Sequence, residues 1–224
     1  MHKSATTTTE VLIAAGTINL QGDLSLPRRA TGIVIFAHGS GSSRFSSRNQ
    51  TVAQVINDEN LGILLFDLLT PEEEVEEEVI DARTHQLRFD IPLLAQRLVD
   101  ATRWVKSQPE LKDLKVGYFG ASTGGAAALV AAAELGDTVT AVVSRGGRPD
   151  LAGAALTRVQ APTLLIVGGR DEEVLRLNEE ALEKLNCQKE LAIIPGATHL
   201  FEEPGTLEAV AQRAAHWFKY YLQP

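Results

Sequence analysis

"KVGYFGASTGGAAALVAAAE", residues 115–134, decides how the rest of the chain is read. Val116, Tyr118 and Phe119 are strand formers, whereas the alanine-rich run from Gly125 to Glu134 favours helix. Ser122 sits between small residues at the junction. A serine there either caps the helix or acts as a nucleophile, and the surrounding chain has to discriminate.

The same alternation repeats outward from this stretch. Short apolar runs that end in small or polar residues occur as "GIVIFAHGSG" (32–41), "GILLFDLL" (62–69), "TAVVSRGG" (140–147), "PTLLIVGGRD" (162–171) and "ELAIIPGATH" (190–199). Continuous apolar runs suit strands buried on both faces. Helix-like stretches separate them at 46–60, 84–107, 123–135, 172–185 and 205–222. Residues 9–26 alternate and contain "GTINLQGDL", which reads as an antiparallel hairpin with Gly16 near its turn. Strand alternating with helix predicts a parallel, doubly wound α/β sheet, whose ligands bind beyond the carboxyl ends of the strands. That edge collects His38, Ser40, Asp67, Ser122, Arg145, Asp171 and His199.

The chain has 224 residues, 44% of them hydrophobic, with no internal repeat and no linker, so residues 1–224 are expected to form one domain. A net charge of -8 argues against a nucleic-acid partner. The single cysteine, Cys187, excludes an intrachain disulfide and favours a reducing compartment. The first residues hold no long apolar stretch, and the apolar runs elsewhere are too short to span a bilayer. The expectation is a soluble, cytoplasmic protein with no membrane partner, a small-molecule substrate and, as one arrangement open to it, a homodimer.

"TPEEEVEEEVIDART" (70–84) places six glutamates between positions 72 and 78, interrupted by Val75. Blocks of like charge are usually solvated. Pro71 with acids behind it suits a helix start, where acids face the positive dipole end. A divalent-cation site is the alternative, but no spaced His/Cys set supports a metal in the chain.

"GASTG", residues 120–124, is a G-x-S-x-G between a strand and a helix. A turn that sharp strains the serine backbone, and side chains at 120 and 124 would collide with the neighbouring strand and helix. The capping alternative requires nothing further along the chain. A nucleophile requires an acid after a later strand and then a histidine. Asp171 ends "LLIVGGRD" and His199 ends "LAIIPGATH", 49 and 28 residues further along in turn. A neutral imidazole would take the serine proton, and the carboxylate would orient the ring and stabilise its charged form.

"HGSGSS", "GASTGG", "IVGGRDEEV" and "PGATHLFEEPG" together resemble the α/β-hydrolase fold and, within it, the dienelactone-hydrolase-like family, over nearly the whole chain. The resemblance implies an eight-stranded, mostly parallel sheet with helices on both faces and Ser122, Asp171 and His199 as the triad. It also implies an oxyanion hole from the backbone N–H groups of Thr123 and Ser40, with Gly41 as the neighbouring alternative. No cofactor is implied. Dienelactone hydrolases proper carry cysteine at the elbow where this chain has serine, and Cys187 lies far from it.

His38, in "FAHGSG", reads as a structural histidine that holds the oxyanion loop, and Asp67 as a reserve acid or a turn cap. His85 belongs to a helix start, and His216 lies on the last helix. Arg44, Arg48, Arg145 and Arg148 follow strands or loops on the active edge. They either bind an anionic substrate or tie the acidic segment and its loops together. Residues 148–161 have room for one short helix at most, so no large lid domain is expected. Two functions remain: a serine esterase working through an acyl-enzyme, or a non-catalytic scaffold of the same fold that binds a small ligand or partner.

Overall fold

The computed structural model describes residues 6–80 and 89–223. His85 and the expected helix start at 84 lie outside them. Elements in chain order are β1 (Thr6–Ala15), β2 (Ile18–Pro27), β3 (Gly32–Ala37), α1 (Ser47–Asn57), β4 (Gly62–Phe66), α2 (Pro71–Ile80), α3 (Ile91–Ser107), β5 (Lys115–Ala121), α4 (Thr123–Leu135), β6 (Val139–Arg145), β7 (Thr163–Gly168), α5 (Glu172–Lys184), β8 (Lys189–Ile194) and α6 (Thr206–Leu222).

The eight strands form one sheet in the order β1-β2-β4-β3-β5-β6-β7-β8. β1 and β2 pair antiparallel across a turn at Gly16, which takes φ +62°, and β2 joins β4 antiparallel. All other pairings are parallel. Every residue of β3 and β7 is buried, as unbroken apolar runs covered on both faces require. On one face Leu94, Leu98 and Val105 of α3, the alanines of α4 and Ala181 of α5 build a core with Ile33, Ile35 and Tyr118. On the other, Val52 and Ile56 of α1 and Val210, Ala214 and Phe218 of α6 pack on Val34, Phe36, Phe119 and Val143.

The acidic segment is a helix, with Pro71 as its first residue and Glu72, Glu73 and Glu74 in its first turn. Residues 149–158 form a 3-10 helix kinked at Gly153 (φ +53°), which matches the short connection expected there. Among the described residues no helix is long and apolar enough to cross a membrane.

Candidate active site

Parallel register puts the polar strand ends side by side. Ala37 of β3 pairs with Gly120 of β5, and Ala121 of β5 pairs with Arg145 of β6. The chain then turns sharply. Ser122 adopts φ +51° and ψ -120°, a conformation that L-residues hold only under constraint. Its N–H donates to the Arg145 carbonyl at 3.1 Å, and its own carbonyl accepts from the N–H groups of Gly125 (3.0 Å) and Arg148 (3.2 Å). The flanking glycines are sterically required. A Cβ on Gly120 would stand 2.4 Å from the Gly124 carbonyl oxygen, and one on Gly124 would stand 2.2 Å from the Ala37 carbonyl oxygen. Ser122 occupies the N-cap position of α4, yet its side chain caps nothing.

Asp171 repeats this behaviour. It is the N-cap residue of α5, but its carboxylate makes no capping bond. Instead Oδ2 lies 2.7 Å from His199 Nδ1. The His199 loop is braced by the Arg170 N–H donating to the Ala197 carbonyl (2.9 Å) and the Thr198 N–H donating to Glu203 Oε2 (3.1 Å). The Thr198 side chain, together with that N–H, holds the Glu203 carboxyl below its ordinary range. The ring stands over the strand end that receives the Ser122 N–H: His199 Cε1 is 3.5 Å from where a Cβ on Gly146 would be.

His38 is placed differently. It is 6% exposed, with Nδ1 3.0 Å from the Gly39 carbonyl and Nε2 accepting the Leu68 N–H at 3.0 Å. Both nitrogens are engaged and burial lowers the pKa of the ring, so the neutral form clasps the loop after β3 to the loop after β4. The Ser40 N–H donates to Thr123 Oγ1 at 3.0 Å. A cavity of about 340 Å³ opens beside this loop, lined by Ser40, Gly41, Leu68, Leu69, Glu74 and Leu94 among others. A larger one, about 600 Å³, lies away from the site between the hairpin and α1.

A model of the dienelactone hydrolase family matches residues 20–223. The chain belongs to that family. It is 60% identical to a dienelactone hydrolase from Anabaena variabilis of known crystal structure, with a TM-score of 0.94 and coverage of 99% of this chain and 100% of that one. Est1E from Butyrivibrio proteoclasticus shares the fold at 15% identity, with a TM-score of 0.77 over 95% of this chain and 98% of its own. A Mycobacterium tuberculosis protein named "putative phosphoribosyl transferase" is 57% identical over 213 residues, 95% of this chain but 46% of that protein. The chain thus spans about half the length of the curated relatives it matches.

The arginines divide. Arg44 is held by Asp67 through its side chain and through its N–H (2.7 Å to Oδ1), and by Asp23 at 3.4 Å. Asp67 is thereby engaged as an arginine partner. Arg148 makes a two-pronged contact with Asp150 at 2.9 and 2.8 Å. Arg48 lies 3.6 Å from Glu202. Arg145 is 7% exposed and has no carboxylate in ion-pair range among the described residues. Among the described residues its guanidinium makes one hydrogen bond, from Nη2 to Asn49 Oδ1 at 3.5 Å, and Nε and Nη1 have no partner there. Burial, with Arg48 nearby, pushes its pKa down to about 10.

None of the four arginines ties down the acidic helix by a direct ion pair with Glu73. Arg97 of α3 does so at 2.7 Å, and sequence reasoning missed it because nothing in the local pattern of α3 marks that side chain. Asn178 was also missed. It is fully buried on α5 and donates to the Gly147 carbonyl at 3.0 Å, holding the loop after β6. An amide among the core-facing positions of an amphipathic helix was its available signal.

Proposed function

We propose that the chain is a serine hydrolase cleaving small carboxylic esters through an acyl-enzyme. The observation that carries this reading is the Asp171–His199 contact of 2.7 Å, made by an acid that forgoes its helix cap, at the edge that holds the strained Ser122. His199 Nε2 accepts the Ser122 proton as Oγ bonds to the ester carbonyl carbon, and the carbonyl π pair moves onto oxygen. The resulting tetrahedral intermediate collapses with expulsion of the alcohol, which takes the proton from His199. Water then repeats the sequence and releases the acid. The Asp171 carboxylate fixes the ring orientation and stabilises the imidazolium.

The Thr123 N–H opens α4, where the first amides have no partner within the helix, and it is assigned to the oxyanion. With the Ser40 N–H directed at Thr123 Oγ1, its neighbour Gly41 is assigned to the second side of the hole. The leucine-lined cavity beside that loop suits a short acyl or alcohol group, since about 340 Å³ is near the lower end for ligand pockets. With Arg44 and Arg148 held by aspartates and Arg48 beside Glu202, Arg145 is the one assigned to any negative charge on the substrate. The transferase name of the relative attaches to a protein about twice as long.

A p-nitrophenyl ester series checks the reading. Acetate and butyrate should turn over with kcat/KM at least about tenfold above the dodecanoate, since surplus methylenes find no apolar cover in so small a cavity. Absence of turnover across the series, or a rise with chain length, would contradict it.

A further inference from the structure

The Ser40 amide has one proton, and it points at Thr123 Oγ1, 3.0 Å away. That amide is therefore not a ready donor for a substrate oxygen. The Thr123 hydroxyl, having accepted it, keeps its own proton. No acceptor for that proton occurs among the described residues, although Thr123 is only 2% exposed. A buried hydroxyl that donates to nothing leaves part of its hydrogen-bonding capacity unused. Thr123 directly follows the nucleophile and begins α4. Its backbone N–H and its hydroxyl therefore leave one residue, next to the atom that attacks.

We propose that Thr123 is a catalytic residue through its side chain: the hydroxyl, polarised by the Ser40 N–H, donates a hydrogen bond to the oxyanion formed when Ser122 attacks an ester. The inference rests on the serine-hydrolase reading above. In the tetrahedral intermediate the carbonyl oxygen carries the full negative charge and becomes the acceptor the hydroxyl lacks at rest. A hydroxyl that already accepts a hydrogen bond is a stronger donor, so the Ser40 amide acts through Thr123. The Ser40 bond also orients the hydroxyl before substrate arrives, which is what pre-organised transition-state stabilisation requires. Attack joins Ser122 Oγ to the carbonyl carbon, the π pair moves to oxygen, and the serine proton goes to His199 Nε2. Thr123 donates a hydrogen bond throughout and loses no proton.

The test compares Thr123→Val, which keeps the shape and removes the hydroxyl, with Thr123→Ser, which keeps the hydroxyl. Turnover of p-nitrophenyl acetate and inhibition by an aryl trifluoromethyl ketone are measured on both. The ketone forms a hemiketal oxyanion on an activated serine. Thr123→Val should lower kcat roughly 10²-fold, the size expected for losing one oxyanion donor, with KM changed less than about threefold. Its ketone inhibition constant should rise in proportion, and Thr123→Ser should recover most of both losses. Thermal unfolding of each variant shows whether the fold is retained. If Thr123→Val matches or exceeds the parent, the hydroxyl only occupies the Ser40 amide and the proposal is overturned. Equal losses in both variants would also overturn it, because shape and not the hydroxyl would be what matters. A parent protein that neither turns over ester nor binds the ketone would remove the hydrolase reading itself, and this inference with it.

Discussion

Two sets of the same three residue types stand in contrasting environments. Ser46 accepts the Asn49 N–H and caps α1, and Asp90 accepts the Leu93 N–H at 3.0 Å and caps α3. His38 has both ring nitrogens bonded to main chain. Ser122 and Asp171 hold the equivalent N-cap positions of α4 and α5, and neither side chain caps. His199 bonds Asp171 through Nδ1, and Nε2 has no partner among the described residues. An N-cap hydrogen bond is worth about 1 kcal/mol. Two strand-to-helix turns, after β5 and after β7, forgo it, and their side chains lie toward one edge of the sheet. The difference teaches that residue type and helix position alone do not assign a role. What separates the two sets is whether the polar atoms are consumed by nearby backbone, and the proposed function rests on the set that is not.

The comparison breaks first at the acids. Asp171→Asn should lower kcat by about 10⁴-fold, the scale for losing a triad acid, while the unfolding temperature stays within a few degrees. Asp67→Asn should act the other way round. It leaves Arg44 short of its partner and so lowers stability, with a much smaller effect on kcat. Paired steady-state kinetics and thermal melts on the two variants decide it, and the reverse ranking would place the working acid after β4.

A smaller effect sharpens the same contrast. Ser46→Ala and Asp90→Ala should each cost about 1 kcal/mol in denaturant unfolding and leave kcat/KM unchanged. Asp171→Ala should cost less stability than either, since no cap is lost there. Equal losses at all three positions would mean that Asp171 does cap its helix in solution and that the contrast is false.

Much of this was legible before any coordinates. The unbroken apolar runs of β3, β5 and β7 announce strands covered on both faces, and the alternation with helices fixes a parallel sheet and hence the edge where polar residues meet. Ser122, Asp171 and His199 follow from chain order on that edge. The hairpin was legible from alternation, although β1 begins at Thr6, earlier than the alternation indicated, because a threonine run suits a strand without announcing one. The arginine pairings were not legible. Arg44, in the loop after β3, reaches Asp67 after β4 and Asp23 within β2, a meeting set by those loops folding against the hairpin rather than by spacing. The Ser40–Thr123 hydrogen bond spans 83 positions and depends on β3 and β5 lying side by side, so no local pattern encodes it.

The central claim is that Ser122 is activated. A fluorophosphonate reacts at an activated serine, phosphorus bonding to Oγ as fluoride leaves. Intact-mass measurement with peptide mapping on the full chain reads both stoichiometry and position. We predict one adduct per chain, on the peptide carrying Ser122, lost in Ser122→Ala while the melting temperature is retained because that serine caps nothing. An unlabelled chain, or an adduct that persists at one equivalent in Ser122→Ala, would contradict the account.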